Sequence, residues 1–200
     1  MVRTNWINLN GLWDYAMVAA ESSMPTHWDG QILVPFPVES ALSGVKKPLT
    51  PQQALWYRRT FSAADLPAGQ RLLLHFGAVD WEAVVWVNGA RLGAHRGGYT
   101  GFSFDITEHL KPGADNELVV RVWDPTGGDG SARGKQKVES FAKPEGYWYT
   151  PCSGIWQTTW LEPVPASAIR ALRVTPDFDA AALQIKADVV DAPEGAEVIV

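Results

Sequence analysis

Residues 146–163, GYWYTPCSGIWQTTWLEP, decide how this chain is read. Three consecutive aromatics, Tyr147, Trp148 and Tyr149, open the stretch, and a polar turn through Thr150, Pro151, Cys152, Ser153 and Gly154 follows. From Ile155 the pattern alternates. Ile155, Gln157, Thr159 and Leu161 fall on one face of a strand and Trp156, Thr158, Trp160 and Glu162 on the other, because successive strand side chains point to opposite faces. Pro163 and Pro165 are expected to end the pairing, since proline has no N–H to give to a ladder. An aromatic loop, a tight turn, a core strand and a domain boundary thus lie end to end, the arrangement in which a β scaffold presents a ligand-facing loop.

Working outward, the segment before the aromatics, DPTGGDGSARGKQKVESFAKPE (124–145), is rich in glycine and charge and has no periodicity. A run of that length without regular structure inside a compact domain marks a functional loop or a disordered one, and its place next to the aromatics favours the first. Upstream of it the strand signals are dense. ELVVRVW (117–123) and RLLLHF (71–76) are strongly apolar, the second on both faces at its centre, which places it in the middle of a sandwich. In LWYRRTF (55–61) Leu55, Tyr57, Arg59 and Phe61 share one face. Val84 and Trp86 followed by Asn88-Gly89 describe a hairpin with a type I′ turn. Asn10-Gly11 signals another turn, from which Trp13 and Tyr15 start an alternating strand. Residues 31–38 are extended but carry Pro35 and Pro37, so they cannot form a central strand. A turn is expected at Asp65, Pro67 and Gly69, and a bend at Gly97, Gly98 and Gly101. Asp105-Ile106-Thr107-Glu108 has the form of a capping box for one helical turn, stopped by Pro112-Gly113. Beyond Pro165 three more strand-like pieces follow, 169–174, 183–190 and 197–200. Many short strands, frequent turns and no long helix indicate a β-sandwich or jelly roll. The last piece has no closing turn, so residues 166–200 read as the opening of a second domain.

Composition narrows the function classes. The apolar fraction of 46% is enough for a core, and the ten tryptophans are the outlier, open to core roles, sugar platforms or both, with most of them structural. A net charge of −5 gives no basic footprint for nucleic acid. No apolar run is long enough to span a bilayer, and the N-terminus lacks the apolar centre of a signal peptide. Compartment is left open: secreted or periplasmic if a leader was removed, cytoplasmic otherwise. Cys152 is the lone cysteine, which rules out an internal disulfide and suits a small apolar side chain beside a turn.

Candidate chemistry is sparse. Pyranose rings stack their C–H faces on indole and phenol rings, so Tyr147, Trp148 and Tyr149 are candidate sugar contacts. Gln136 and Asp124, with Asn116 nearby, offer polar partners for hydroxyls. The bland alternative is that Trp148 and Tyr149 pack the loop onto the sandwich edge. Arg133, Lys135 and Lys137 could meet an acidic sugar or a phosphate, but they lack any phosphate-cradling spacing, and a solvated charged loop is the better reading. Asp80 and Glu82 flank Trp81 at a strand entrance. As neighbours on one face they leave no room for a sugar between them, so they are not a glycosidase pair. His27, His75, His95 and His109 have no metal-ligand spacing; His75 fits a core or edge position and His95 a place near the glycine bend. No catalytic residue, metal ligand or cofactor motif is assigned.

Taken in order, LNGLWDY, LWYRRTF, FGAVDWEAVVWVNGARLGAHRGGYTGFSFDIT, NELVVRVWD and SGIWQTTWLEPVP resemble the N-terminal sugar-binding domain of glycoside hydrolase family 2, the β-galactosidases, β-glucuronidases and β-mannosidases. The resemblance covers about residues 5–165 and implies a galactose-binding-like jelly roll for residues 1–165. Residues 166–200 would begin the immunoglobulin-like sandwich that follows in the family. It further implies an exo-acting, retaining β-glycosidase whose two catalytic glutamates lie on a separate (β/α)-barrel, so this chain alone is expected to be inactive. Family members are often multimeric, which suggests a homo-oligomeric parent. In the family an acidic residue a few positions before the Ser/Ala-Gly-Ile element reaches the substrate. Counting back from Ser153-Gly154-Ile155, that place falls at about Trp148, which points to stacking instead of a carboxylate contact and puts any cation held there in question. Two other readings stand beside this one: a carbohydrate-binding module acting alone, and a purely structural sandwich.

Overall fold

The computed structural model describes residues 4–63, 66, 69–128 and 130–197. In chain order the strands are β1 (Ile7–Asn8), β2 (Gly11–Ala19), β3 (Gly30–Val34), β4 (Gln53–Ser62), β5 (Gln70–Phe76), β6 (Val79–Asp80) and β7 (Glu82–Val87). They continue with β8 (Ala90–Arg96), β9 (Phe102–Asp105), β10 (Asp115–Trp123), β11 (Gly154–Ile155), β12 (Thr159–Pro165), β13 (Ala168–Asp177) and β14 (Ala182–Val190). One-turn 3-10 helices cover Ala41–Ser43, Thr107–His109 and Val138–Phe141.

Two antiparallel sheets make the sandwich. One has the order β3-β2-β4-β10-β7-β8 and the other β1-β12-β5-β9, and non-consecutive neighbours such as β4-β10 and β1-β12 give the crossovers of a jelly roll. Alternation selects what is buried. Trp13, Leu55, Tyr57, Leu118 and Val120 face inward from the larger sheet, and Leu72, Leu74, Phe76 and Leu161 from the smaller. The Trp13 indole N–H, which would be costly to bury unpaired, donates to the Leu9 carbonyl at 2.8 Å. A second cluster sits on the outer face of the larger sheet, where Ala54, Trp56 and Val119 pack with Trp28 and Trp86. Trp56 and Trp86 stack at 5.4 Å, and Arg58 lies over Trp28 at 4.7 Å. These tryptophans are packing residues.

Most local expectations hold. Asn88 (φ 51°) and Gly89 (φ 84°) turn the β7–β8 hairpin, and residues 30–34 form an edge strand before cis-Pro35. Three details differ. The strand expected from Ile155 onward is two strands: β11 pairs with β6, the chain breaks over 156–158, and β12 pairs with β5. Pro163 and Pro165 do not end the pairing but lie inside β12. Thr159, at the same parity, directs its carbonyl to Leu9 N on the β1 side at 2.9 Å, and β1 stops opposite Leu161. The two prolines therefore lack N–H groups only where no strand is present to accept them. Finally, Asp105 Oδ1 accepts from Thr107 N at 3.0 Å while Ile106 holds the helix-cap position, so the capping box is an aspartate turn without a contribution from Glu108.

RLLLHF is interior in its sheet, between β12 and β9. Its inward side chains are buried, while Leu73 and His75 line an outer cleft of about 460 Å³ shared with Trp160, Glu162 and the following hairpin. There His75 stacks on Trp160 at 4.8 Å and meets Glu162 at 3.0 Å. Strands β13 and β14 pair only with each other among the described residues. The expected strand at 197–200 lies outside the described residues from 198 on, as do Asp65 and Pro67 of the expected turn.

Candidate functional site

The site grows from the pairing of β6 with β11, which sets Gly154 opposite Asp80 and Ile155 opposite Val79. This brings the Ser-Gly-Ile turn against the entrance of β7. The end of β10 delivers Asp124, and the proline-bounded turn after β3 delivers Glu39. The long segment leaving Asp124 comes back to the same place. Gln136 and Tyr149 form a parallel bridge, with Tyr149 N donating to Lys135 O at 2.9 Å and Lys137 N to Tyr149 O at 3.0 Å.

Three carboxyls are buried beneath that bridge: Glu39, Asp80 and Asp124, none more than 4% exposed. Each is held by donors from the turn or the segment above. Glu39 Oε2 accepts from Ser153 N at 2.9 Å. Asp124 accepts from Ser153 Oγ at 2.7 Å and from Thr126 N at 2.6 Å. Asp80 Oδ2 accepts from Gln136 Nε2 at 3.0 Å. Gln136 is used at both ends, since its Nε2 also donates to the Tyr99 hydroxyl at 3.2 Å and its Oε1 accepts from Cys152 N. Gly98 passes directly over Asp80, where an added Cβ would overlap the carboxyl, so only glycine fits. Gly154 is confined in the same way, with φ +94° and the Tyr57 hydroxyl where its Cβ would be; that hydroxyl accepts from Ile155 N at 3.2 Å.

Burial of so many acids raises the cost of charge. Desolvation pushes Glu39 up to about 7 against the opposing hydrogen bonds from Ser153. It pushes Asp80 up to about 6, with the Asp124 charge adding to it and Gln136 opposing it. The Cys152 thiol is pushed up to about 12 by burial and then by Asp80, Glu39 and Asp124, so it is a poor nucleophile. Tyr57 is also raised by burial. Among the described residues no group of His, Cys, Asp and Glu has the geometry to hold a metal ion.

Above this polar base the aromatics face out. Tyr147, Tyr149 and Tyr99 are 62%, 64% and 57% exposed. Trp148 is half-buried between Tyr147, at 4.8 Å, and the Arg133 guanidinium, at 5.0 Å. Of the sequence candidates, the structure therefore gathers Tyr147, Trp148, Tyr149 and Gln136 at one rim and puts Asp124 below it. Asn116 is elsewhere, paired with Asn88. Asp80 and Glu82 do not share a face: Glu82 pairs with Arg96 at 2.7 Å, whereas Asp80 belongs to the buried base. Assuming one continuous strand hid that separation. His95 is a packing residue, stacked on Phe102 at 4.2 Å. Glu39 gave no sequence signal; the paired glycines 97–98 were the one available sign that something approaches Asp80.

A family model described as the glycosyl hydrolase 2 galactose-binding domain-like region matches residues 45–156. A β-glucuronidase of Paenibacillus borealis is 29% identical over 147 residues, 70% of this chain and 25% of that protein. A β-galactosidase of Thermoanaerobacter pseudethanolicus is 36% identical over 109 residues, 54% of this chain and 13% of that protein. The chain thus spans a quarter or less of the length of these relatives. Among solved structures, a β-glucuronidase of Faecalibacterium prausnitzii superposes with a TM-score of 0.67 at 22% identity, covering 96% of this chain and 37% of that one. A Bifidobacterium dentium β-glucuronidase complexed with coumarin-3-O-glucuronide gives 0.67 at 23% identity, covering 88% and 33%.

Proposed function

Because the chain belongs to the galactose-binding-like domains of glycosyl hydrolase family 2, we propose that it is the N-terminal part of an exo-acting, retaining β-glycosidase. In this reading residues 1–165 form the sugar-binding domain and residues 166–200 open an immunoglobulin-like one. Catalytic carboxyls belong to a barrel elsewhere in the parent protein. This domain braces the barrel and closes one side of its sugar pocket with the rim Tyr147–Tyr149. The observation that carries the reading is the rim itself: exposed aromatic rings, suited to a pyranose face, fixed from below by a network in which Gln136 and Asp124 already spend their hydrogen bonds on protein groups. Those two residues set the loop's position, and the rings make the contact. An indole at position 148, where the family resemblance leads to an acid, favours stacking over a charged contact with the sugar.

The test uses the full-length protein, wild type beside Trp148→Ala, screened on aryl β-galactoside, β-glucuronide and β-mannoside. The expected result is turnover of one of these and a loss of about tenfold or more in kcat/KM in the variant at unchanged Tm, as for the loss of a desolvated stacking contact. Unchanged turnover would make Trp148 a packing residue and the domain a brace.

A further inference from the structure

The larger sheet is not closed along its whole length. The β2–β4 ladder begins at Asp14, opposite Arg58, and runs on to Ala19. Yet β2 is paired with β3 from Gly11 onward, and β4 stays paired with β10 as far as Ser62. Residues 11–13 and 59–61 are therefore unpaired across the middle of the sheet. The gap opens into a cleft of about 430 Å³, lined by Gly11, Leu12 and Asp14 on one side and Arg58, Arg59 and Thr60 on the other, with Gln31 of β3 at its edge.

Arg59 is out of place in this gap. It has the parity of Tyr57 and Phe61, which are buried in the core, so a charged side chain stands at an inward position of β4. Its Nη1 donates to Leu12 O at 3.3 Å, where the ladder bond is missing, and the guanidinium lies 5.8 Å from the centre of the Trp13 ring. Its Nε is buried and has no acceptor. Among the described residues the ion pairs do not include Arg59. The neighbouring charges cancel, since Arg58 Nη2 meets Asp14 at 2.6 Å. Burial moves the Arg59 pKa below the ordinary arginine value, yet a guanidinium stays charged at any ordinary pH. The gap thus holds one uncompensated positive charge, half-buried, which is costly without a counter-charge. A guanidinium also offers two parallel N–H bonds to a single oxyanion. We propose that the gap between β2 and β4 is an oxyanion site, in which Arg59 holds a carboxylate, phosphate or sulfate group beside the Thr60 hydroxyl and the Gln31 amide. A free anion and an acidic side chain from another part of a longer protein share this chemistry.

Inorganic phosphate and sulfate are the probes, titrated against chloride at constant ionic strength into the 200-residue chain and into the full-length protein. Binding is followed by the Arg59 Nε–H resonance and by Tm. In the 200-residue chain the anion is expected to shift that resonance saturably and to raise Tm by about 3 °C at ten times its dissociation constant. Arg59→Gln should remove the rise, while Arg173→Gln, which removes an exposed cation of β13, should keep it. The same response in the full-length protein assigns the gap to a free anion. A response in the 200-residue chain that is lost in the full-length protein assigns it to a carboxylate supplied by the rest of that protein. No response in either, or a rise in Tm that survives Arg59→Gln, overturns the inference. Should Arg59→Gln fail to fold, Arg59→Lys decides. It keeps the charge but loses the fork, so it is expected to bind phosphate about tenfold more weakly, and equal affinity overturns the inference.

Discussion

Two residues under the rim can be tested singly. Gly154→Ala forces a side chain into left-handed backbone and onto the Tyr57 hydroxyl, so the expected cost is about 3 kcal/mol. Gly89→Ala has a similar φ but open space around it, and should cost about 1 kcal/mol. Urea unfolding of the two variants side by side separates crowding from backbone strain. Glu39 reads out as pH. Its carboxyl, raised from 4.5 to about 7, holds its proton more tightly folded than unfolded. Its stabilisation is therefore complete below about pH 4 and lost as pH rises to about 7; Asp80, raised to about 6, acts in the same direction. Glu39→Gln is expected to flatten the fall in Tm between pH 4.5 and 7, while losing some stability at low pH, because one amide end cannot accept from a backbone N–H. An unchanged slope would show that Glu39 is ionised when folded.

At the scale of elements the question is what ties the 124–153 segment down. Gln136 joins it to Asp80, Tyr99 and Cys152 at once. Gln136→Ala should speed amide exchange at Lys137, Tyr149 and Cys152 by about tenfold or more, with a Tm drop of only a few degrees, since the sandwich core is untouched. Uniform exchange across the whole domain would instead make Gln136 part of the global fold. This segment also shows where sequence reading stops. The strands of the sandwich were legible because apolar alternation and Asn-Gly turns are local properties of the chain. Pro163 and Pro165 misled because their cost depends on what lies beside the strand, and β1 ends before reaching them. Asp80 was visible as an acid but its partner, Gln136, is brought to it by a non-local loop. Nothing within a few residues of Glu39 announces that Ser153 will need an acceptor there.

For the whole molecule, the proposed place of this chain within a longer glycosidase makes a plain prediction. Highly purified 200-residue chain should show no turnover of aryl β-galactoside, glucuronide or mannoside in a chromogenic assay. Turnover that persists through successive purification steps would place catalytic groups in this chain. The family resemblance drawn from motif order was correct because those motifs are the strands and turns of the scaffold itself, whereas no scaffold rule fixes the residues of the proposed sugar-facing rim.

The pairing of β1 with β12 has a consequence for biosynthesis. The six strands of the larger sheet are all on hand once Trp123 has left the ribosome. The smaller sheet is different, because Ile7 must wait for Leu161 before its edge can close. At roughly 5–20 residues per second of synthesis, the nascent chain spends seconds with the larger sheet complete and the smaller one reduced to β5 and β9. The Ser-Gly-Ile turn beneath the aromatic rim also emerges late, so the surface proposed to face the sugar is among the last parts of this domain to be made.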